Sequence, residues 1–208
     1  MEYVKINSLY KRGLDHNIIE GQYSLDEFTS VNRWQVEEKI DGMNIRIEYK
    51  VNDDTTTMSI LGRTKDAQMP VVMNEWFANN QMMTIELFKE IFENCPNVIL
   101  FGEGYGPKIN SGGYYRKDTS FILFDVIIGR WWLDREGVKK IAERLNLDMC
   151  PDLGIMTVDQ IVNFVKSKPL SKIAREPRMM EGIIARSDPF MFQRNGQPVM
   201  FKLKCKEF

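Results

Sequence analysis

Residues 34–49 read WQVEEKIDGMNIRIEY. On both sides of Gly42, apolar and charged residues alternate, which is the pattern of β-strands that bury one face. Lys39 stands just before the break at Gly42, and glycine allows tight backbone turning beside a ligand. Lys-x-Asp-Gly alone occurs often by chance, however. Taken by itself, the pattern favours an ordinary turn that carries a surface lysine.

The rest of the chain continues this mixture of strands and helices. Strands are predicted from apolar, β-forming runs at residues 57–62, 98–101, 121–128, 182–186 and 199–204. Helices are predicted from amphipathic spacing and capping residues, starting near residue 24, over 83–94, over 134–147, and from Thr157 to before Pro169. Trp131 and Trp132 are expected to pack a helix onto the sheet. Together these elements predict an α+β fold of antiparallel sheets flanked by helices.

Length, charge and composition narrow the class of protein. The chain has 208 residues, of which 43% are hydrophobic, and a net charge of −1. This length suits one large domain or two small ones. No apolar run is long enough to cross a bilayer and no signal-peptide pattern is present, so a cytoplasmic location away from membranes is expected. The three cysteines lack paired spacing and His16 is the single histidine, which argues against a disulfide framework, a zinc site or histidine-based catalysis.

Three further segments place charged residues at the ends of predicted strands. Glu103 lies in a glycine-rich segment after the strand 98–101, and Glu181 opens the strand 182–186. Lys202 and Lys204 are two residues apart, which puts both side chains on one face of a strand. A solvated turn or outer face explains each segment alone. In their order after Lys39, they supply what an adenylyl transfer needs: a nucleophile, carboxylates for a metal ion and cations for departing phosphates.

This ordered set resembles the motifs of the covalent nucleotidyltransferase superfamily, which contains polynucleotide ligases and capping enzymes. Lys39-Ile40-Asp41-Gly42 looks like the first motif of that superfamily. The other five motifs are similar to Gly62-Arg63-Thr64, Phe101-Gly102-Glu103, Phe121 to Val126, Glu181 to Ile184, and Lys202-Leu203-Lys204. The resemblance covers nearly the whole chain. It implies a single nucleotidyltransferase (adenylation) domain over residues 1–208.

Details within the motifs resemble the RNA ligases that seal nicked duplexes. Asn44 stands where that branch has asparagine and DNA ligases usually have arginine. Glu38 before the lysine and Tyr105-Gly106-Pro107 after the third motif also match the branch. Asp41 departs from it, because histidine is common at that position. An ATP-dependent RNA ligase is therefore predicted; the alternatives are a DNA ligase, a capping guanylyltransferase, or a non-catalytic nucleotide- or nucleic-acid-binding module.

The resemblance implies a role for each matching residue. Lys39 would attack ATP and carry AMP, with Lys202 and Lys204 assisting the transfer. The nucleotide would be bound by Glu38, Ile40, Arg63, Glu103, Phe124, Glu181, Lys202 and Lys204, with Mg²⁺ or Mn²⁺ on Glu103 and Glu181. Asn44 and Arg63 would contact the nucleic acid. Phe124 rather than Phe121 is expected to stack on adenine, because strand alternation places these two rings on opposite faces.

The expected partner is a nucleic acid with 5′-phosphate and 3′-hydroxyl ends, with RNA favoured. Ligases of this superfamily usually carry a further OB-fold or helical domain that grips the polynucleotide, and the sequence after Lys204 is too short for one. We therefore expect a minimal ligase, a fragment, or a chain that works with a partner subunit supplying that domain. The expected location is the cytoplasm, which includes the cytoplasm of a phage-infected cell.

Overall fold

The computed structural model describes residues 1–53, 55–64 and 66–208. The chain divides into two compact units. Unit 1 comprises Met1–Tyr3 and Asp41–Cys150, and unit 2 comprises Val4–Ile40 and Pro151–Phe208. The resemblance implies one adenylation domain over residues 1–208. The division into two compact units does not test this, so the single domain stays a prediction. Across the described ranges, no helix is both long and apolar enough to span a membrane.

The described chain contains thirteen strands and five α-helices, with two short 3-10 helices at Gly112–Tyr114 and Cys205–Glu207. The strands are β1 Asn7–Ser8, β2 Tyr10–Arg12, β3 Ile18–Tyr23, β4 Trp34–Lys39, β5 Met43–Asn52, β6 Thr55–Gly62, β7 Asn97–Tyr105, β8 Ser120–Ile128, β9 Trp131–Trp132, β10 Asp148–Met149, β11 Asp152–Met156, β12 Gly182–Ser187 and β13 Met200–Lys204. The helices are α1 Glu27–Ser30, α2 Val71–Asn79, α3 Ile85–Ile91, α4 Arg135–Arg144 and α5 Val158–Lys166.

Unit 2 is built on a five-stranded sheet in the order β1-β13-β12-β4-β11. Strand β12 lies between β13 and β4 and is antiparallel to both. A core that includes Phe28, Trp34 and Phe201 packs against the sheet, and α5 adds Ile161 and Val165. As predicted, α5 begins with a capping box in which Thr157 and Gln160 satisfy each other's backbone N–H groups. This sheet fixes the strand ends that carry the candidate lysines.

Unit 1 is built on a six-stranded sheet in the order β10-β8-β7-β5-β6, with β9 paired to β8. Its apolar core includes Phe77 from α2, Phe88 from α3, Val138 from α4 and Phe121 from β8. The carboxylate of Asp134 accepts a hydrogen bond from the Gly137 N–H and so caps α4, as predicted. The sheet therefore carries its helices on one apolar face.

The predicted α+β class with antiparallel sheets and flanking helices is confirmed. Two short pairings, β1 with β13 and β10 with β8, are parallel. Strand β7 extends beyond the predicted strand 98–101 to Tyr105 and so includes the first part of the glycine-rich segment, and the sequence pattern does not predict α2. The expected core role of Trp131 is wrong, because that side chain is 79% exposed on the short strand β9.

The expectation that β4 and β5 bury only one face is also wrong. Glu37, Glu38, Arg46 and Glu48 are each at most 7% exposed. Burial of a charge is tolerated when the charge is paired and hydrogen-bonded. Glu37 contacts Arg186, and Arg46 Nε lies 3.0 Å from Glu48 Oε1. Paired charges, across strands for Glu37 and within β5 for Arg46, therefore allow both faces of these strands to be covered.

Candidate active site

Three of the predicted motifs meet at neighbouring strand ends in unit 2. Gly182, at the start of β12, is directly opposite Lys39 of β4 and Lys204 of β13. Lys39 Nζ lies 2.6 Å from Glu181 Oε2, and Lys204 Nζ lies 2.7 Å from Glu181 Oε1. Gly182 is needed for this approach, because a Cβ there would lie 2.2 Å from the Leu203 carbonyl oxygen. One carboxylate is thus shared by two lysines that are 165 positions apart in the printed numbering.

The electrostatics of this cluster favour an anion. Two ammonium groups share a single carboxylate, so the trio keeps an excess of positive charge. The side chains of Lys39, Glu181 and Lys204 are 22%, 15% and 24% exposed, which leaves them within reach of a ligand. Lys202 lies on the same face of β13 as Lys204, because Phe201 and Leu203 fill the opposite, buried face. The predicted lysine pair on one face is confirmed.

The residues that flank Lys39 are buried. Glu38 Oε2 accepts a hydrogen bond of 2.7 Å from the Lys172 backbone N–H. Burial raises the pKa of the Glu38 carboxyl above its usual range, and hydrogen bonds from Ser171 and Lys172 only partly offset this effect. Within the described chain, Glu38 Oε1 has no hydrogen-bond partner. The side chain of Ile40 is 3% exposed, and its carbonyl oxygen lies 3.4 Å from Lys39 Nζ.

Unit 1 fixes the second half of the Lys-x-Asp-Gly motif. The Asp41 backbone N–H donates to the Tyr115 hydroxyl at 3.1 Å, and the Asn110 side-chain amide donates to the Gly42 carbonyl. A Cβ on Gly42 would lie 2.3 Å from the Gly104 carbonyl oxygen, so only glycine fits there. Tyr115 and Asn110 were not predicted as contributors, and nothing in their sequence spacing identifies them.

Asn44 and Glu103 form a second predicted group in unit 1. The two residues are directly opposite each other on β5 and β7. Both side chains are half-buried, and the buried Asn44 Oδ1 has no hydrogen-bond partner among the residues that the structure describes. Such an oxygen is an open acceptor for a donor group on a ligand. Cross-strand pairing therefore juxtaposes a residue predicted to contact nucleic acid with one predicted to contact the nucleotide.

Arg63 is held through its backbone. The buried Arg46 guanidinium donates to the carbonyl oxygens of Gly62 at 2.7 Å and Arg63 at 2.8 Å. These contacts fix the chain at the end of β6 while the Arg63 side chain stays exposed. Arg46 was missed, since strand alternation indicates a solvent-facing charge there. Its spacing of two residues from Glu48, with opposite charge, was the available signal.

The two aromatic candidates of β8 lie on opposite faces, as predicted. Phe121 is fully buried and packs in the core against Phe77, with ring centroids 5.7 Å apart. Phe124 is half-buried and makes an edge-to-face contact with Tyr3 at 5.0 Å. Because Phe121 is enclosed by the core, Phe124 is the ring that a ligand can reach.

The structure divides the predicted site residues between the two units. Unit 2 carries Glu38, Lys39, Ile40, Glu181, Lys202 and Lys204, and unit 1 carries Asn44, Arg63, Glu103 and Phe124.

No group of three or more histidine, cysteine or acidic side chains suited to a metal occurs among the described residues. Mg²⁺ keeps several waters and uses one or two carboxylates together with substrate phosphates. Glu181 or Glu103 fits such a role, so an enclosed protein cage for the ion is not required.

The fold and the lysine–glutamate–lysine cluster define a nucleotidyltransferase-type domain of the ligase kind. The family model described as RNA ligase matches residues 32–204. The chain therefore belongs to the RNA ligase family. No curated protein matches the chain.

Solved structures of an RNA ligase from Naegleria gruberi share the fold. One variant of that ligase, solved with ATP and manganese, has a TM-score of 0.69 at 18% identity over 98% of this chain and 56% of its own. A second variant with ATP and manganese has a TM-score of 0.68 at 17% identity, with the same shares of 98% and 56%. A third, with AMP and manganese, has a TM-score of 0.63 at 18% identity over 96% and 60%. The chain thus spans less than two thirds of the length of these ligases.

Proposed function

We propose that the chain is an ATP-dependent RNA ligase that forms a covalent lysyl-AMP at Lys39. The observation that carries this proposal is the sharing of the Glu181 carboxylate by Lys39 and Lys204 at 2.6 and 2.7 Å. This contact joins the nucleophile of the first motif to the fourth and fifth motifs in space. Membership of the RNA ligase family supports the same assignment.

In the first step, the Lys39 amine attacks the α-phosphorus of ATP. A phosphorus–nitrogen bond forms, the bond to pyrophosphate breaks, and the amine loses a proton. Only the neutral amine is a nucleophile, and the Glu181 carboxylate at 2.6 Å is an acceptor for that proton. Lys202 and Lys204 stabilise the negative charge that grows on the phosphates.

For the remaining nucleotide contacts we propose the roles that the resemblance implies. Glu38 Oε1 is a buried acceptor without a partner in the described chain, so a donor of the nucleotide would satisfy it. Phe124 offers the reachable ring for adenine, Glu103 a carboxylate for the ribose, and Arg63 a cation for a phosphate. Mg²⁺ or Mn²⁺, held by Glu181 or Glu103, would act as a Lewis acid on the phosphates. Manganese accompanies ATP in the Naegleria structures, which is consistent with this assignment.

In the later steps, AMP passes to a 5′-phosphate of the nucleic acid, and a 3′-hydroxyl then displaces it. Asn44 supports an RNA substrate, because that residue matches the RNA ligase branch and its Oδ1 is an open acceptor. Asp41 is the observation that keeps a DNA ligase as the second candidate. A partner subunit that supplies a further substrate-gripping domain stays a prediction.

The test is covalent labelling with [α-³²P]ATP and Mg²⁺, followed by sealing of matched nicked RNA and DNA duplexes. We expect the wild-type chain to retain label through denaturation and Lys39→Ala to retain none, because Lys39 is the proposed nucleophile. RNA nicks are expected to be sealed faster than DNA nicks.

Lys139→Ala is the matched control, because Lys139 is an exposed lysine of α4 outside the cluster. It should label like the wild type. Label on Lys39→Ala would refute the assignment of the nucleophile, and labelling by [α-³²P]GTP instead of ATP would indicate a capping enzyme. Faster sealing of DNA nicks would favour the DNA ligase.

A further inference from the structure

A basic groove lies beside the lysine cluster in unit 2. It has a volume of about 650 Å³ and is lined by the N-terminal segment and by the end of the chain. Six of its fourteen lining residues are basic, and Glu207 is the single acidic one. The whole chain has a net charge of −1, so this concentration of cations is local. The basic residues are Lys5, Lys11, Arg12, Lys202, Lys204 and Lys206.

The sheet explains how these cations come together. Strand β1 pairs in parallel with β13, with Ser8 opposite Lys202. The backbone N–H of Leu9 donates to the Lys202 carbonyl oxygen at 3.0 Å, which holds the N-terminal segment along the edge of the sheet. Lysines before and after β1 therefore lie beside the lysines of β13.

The groove retains positive charge that the protein does not neutralise. The carboxylate of Glu207 is already used, because one oxygen contacts Arg12 and the other accepts from the Lys204 backbone N–H at 3.0 Å. Lys5, Lys11 and Lys206 are exposed and make no ion pair with the part of the chain that the structure describes. The buried Ser8 Oγ likewise has no hydrogen-bond partner there. Ammonium groups and hydroxyls donate hydrogen bonds that phosphate oxygens accept.

We propose that this groove binds consecutive backbone phosphates of the polynucleotide substrate. The proposal rests on the proposed ligase function, and it assigns a substrate-binding role to Lys5, Lys11 and Lys206. The segment from Lys5 to Lys11 spans at most about 20 Å if extended. That length exceeds a triphosphate, in which neighbouring phosphorus atoms share one bridging oxygen, and it suits several nucleotides of a strand. Phosphate contacts of this kind give affinity and position without reading sequence.

The test compares two double variants that change charge equally. Lys5→Glu/Lys11→Glu alters the groove, and Lys89→Glu/Lys139→Glu alters exposed lysines of unit 1. Binding of a fluorescent nicked RNA duplex is measured by anisotropy over a series of salt concentrations, and labelling by [α-³²P]ATP is measured on the same proteins. We expect the groove variant to bind RNA about 10-fold or more weakly, with the salt slope of log Kd reduced by about 1.5 to 2. For this groove variant, the dependence of labelling on ATP concentration should equal that of the wild type.

RNA affinity and salt slope equal to those of the control variant would overturn the proposal. A raised KM for ATP with unchanged RNA binding would also overturn it, and would assign the groove to the triphosphate. If the wild-type chain forms no lysyl-AMP, the proposed ligase function fails, but the binding comparison still decides whether the groove holds RNA. The two failures are therefore distinguishable.

Discussion

The two units treat their buried charges differently. In unit 2, the side chains of Glu37 and Arg186 contact each other and are only 2% and 4% exposed. In unit 1, Glu48 contacts buried Arg46 and also Lys50, whose side chain is 47% exposed. The first pair is closed off from solvent, whereas the second network leads from the interior to the surface. Removing one partner of a pair that is closed off from solvent therefore costs more stability than removing one member of a network that reaches the surface.

A similar gradient exists along β4 alone. Glu37 is closed off, Glu38 is buried with one oxygen on a backbone N–H, and Lys39 is partly exposed on a shared carboxylate. Of these three consecutive charged residues, Glu37 is therefore structural, whereas Lys39 can be reached by a ligand. Burial and partner, rather than charge itself, separate the residues that hold this fold from those that can contact a ligand.

Breaking the closed pair should have the largest effect on stability. Arg186→Met removes the cation and leaves the Glu37 carboxylate buried without it. We expect the free energy of unfolding to fall by about 3–5 kcal/mol. Chemical denaturation followed by tryptophan fluorescence measures this change, and labelling per folded molecule should stay close to wild type.

The matched control is Arg33→Met, which removes the exposed partner of Asp188 in the same unit. The Arg33 side chain is 64% exposed, so its pair contributes less than about 1 kcal/mol. Equal losses in the two variants would contradict the distinction between closed and exposed pairs.

Removing the shared carboxylate should have the opposite outcome, with a loss of activity at nearly unchanged stability. Glu181→Gln keeps the size of the side chain but leaves Lys39 and Lys204 without the negative charge between them. We expect the rate of lysyl-AMP formation to fall about 100-fold, the scale for loss of one preorganised electrostatic group in an active site. Quench-flow or manual labelling with [α-³²P]ATP measures the rate.

Glu176→Gln is the control, because Glu176 is an exposed residue of the same unit. It should label at the wild-type rate. Wild-type labelling by Glu181→Gln would show that the shared contact has no part in the reaction. A large fall in its thermal midpoint would assign the residue to structure instead.

Much of the fold could be predicted from local pattern. Thr157 and Asp134 begin their helices where capping chemistry predicts. Helix α2 was missed because its apolar residues do not form a strongly one-sided stripe, and Trp131 was misplaced because a strand of two residues at a sheet edge leaves its side chain exposed. Local pattern thus predicts elements better than it predicts which of their side chains are covered.

The candidate site was predictable in its residues but not in its contacts. Motif order singled out Lys39, Glu181 and Lys204, yet their contacts depend on the register of β12 with β4 and β13. Register is set by the packing of the whole sheet. The same reason explains Arg46, which is buried because its carbonyl partners lie on β6 and just beyond it. Sequence indicates which residues carry chemistry, and long-range pairing determines what they touch.

Breaking the Arg46–Glu48–Lys50 network of unit 1 should have a smaller effect on stability, and this effect should depend on pH. Burial opposes ionisation of Glu48, but hydrogen bonds from Lys50, the N-terminal amine and Arg46 outweigh it and lower the pKa from 4.5 to about 2. A carboxyl whose pKa is depressed by folding stabilises the native state above its unfolded pKa. That contribution is lost as the pH falls through the folded pKa. Glu48→Gln should therefore lower the free energy of unfolding by about 1.5–3 kcal/mol at pH 7, the range for hydrogen bonds to a charged group.

The difference between Glu48→Gln and wild type should shrink as the pH falls from 4.5 towards 2, because the wild-type carboxyl then takes up its proton. Urea denaturation at a series of pH values measures it. Glu20→Gln, which removes the half-exposed partner of Lys166, should change the unfolding free energy by less than about 1 kcal/mol. A difference for Glu48→Gln that stays constant down to pH 3 would mean that the side chain contributes through packing rather than charge. The network of unit 1 would then be structural in the same sense as the closed pair of unit 2.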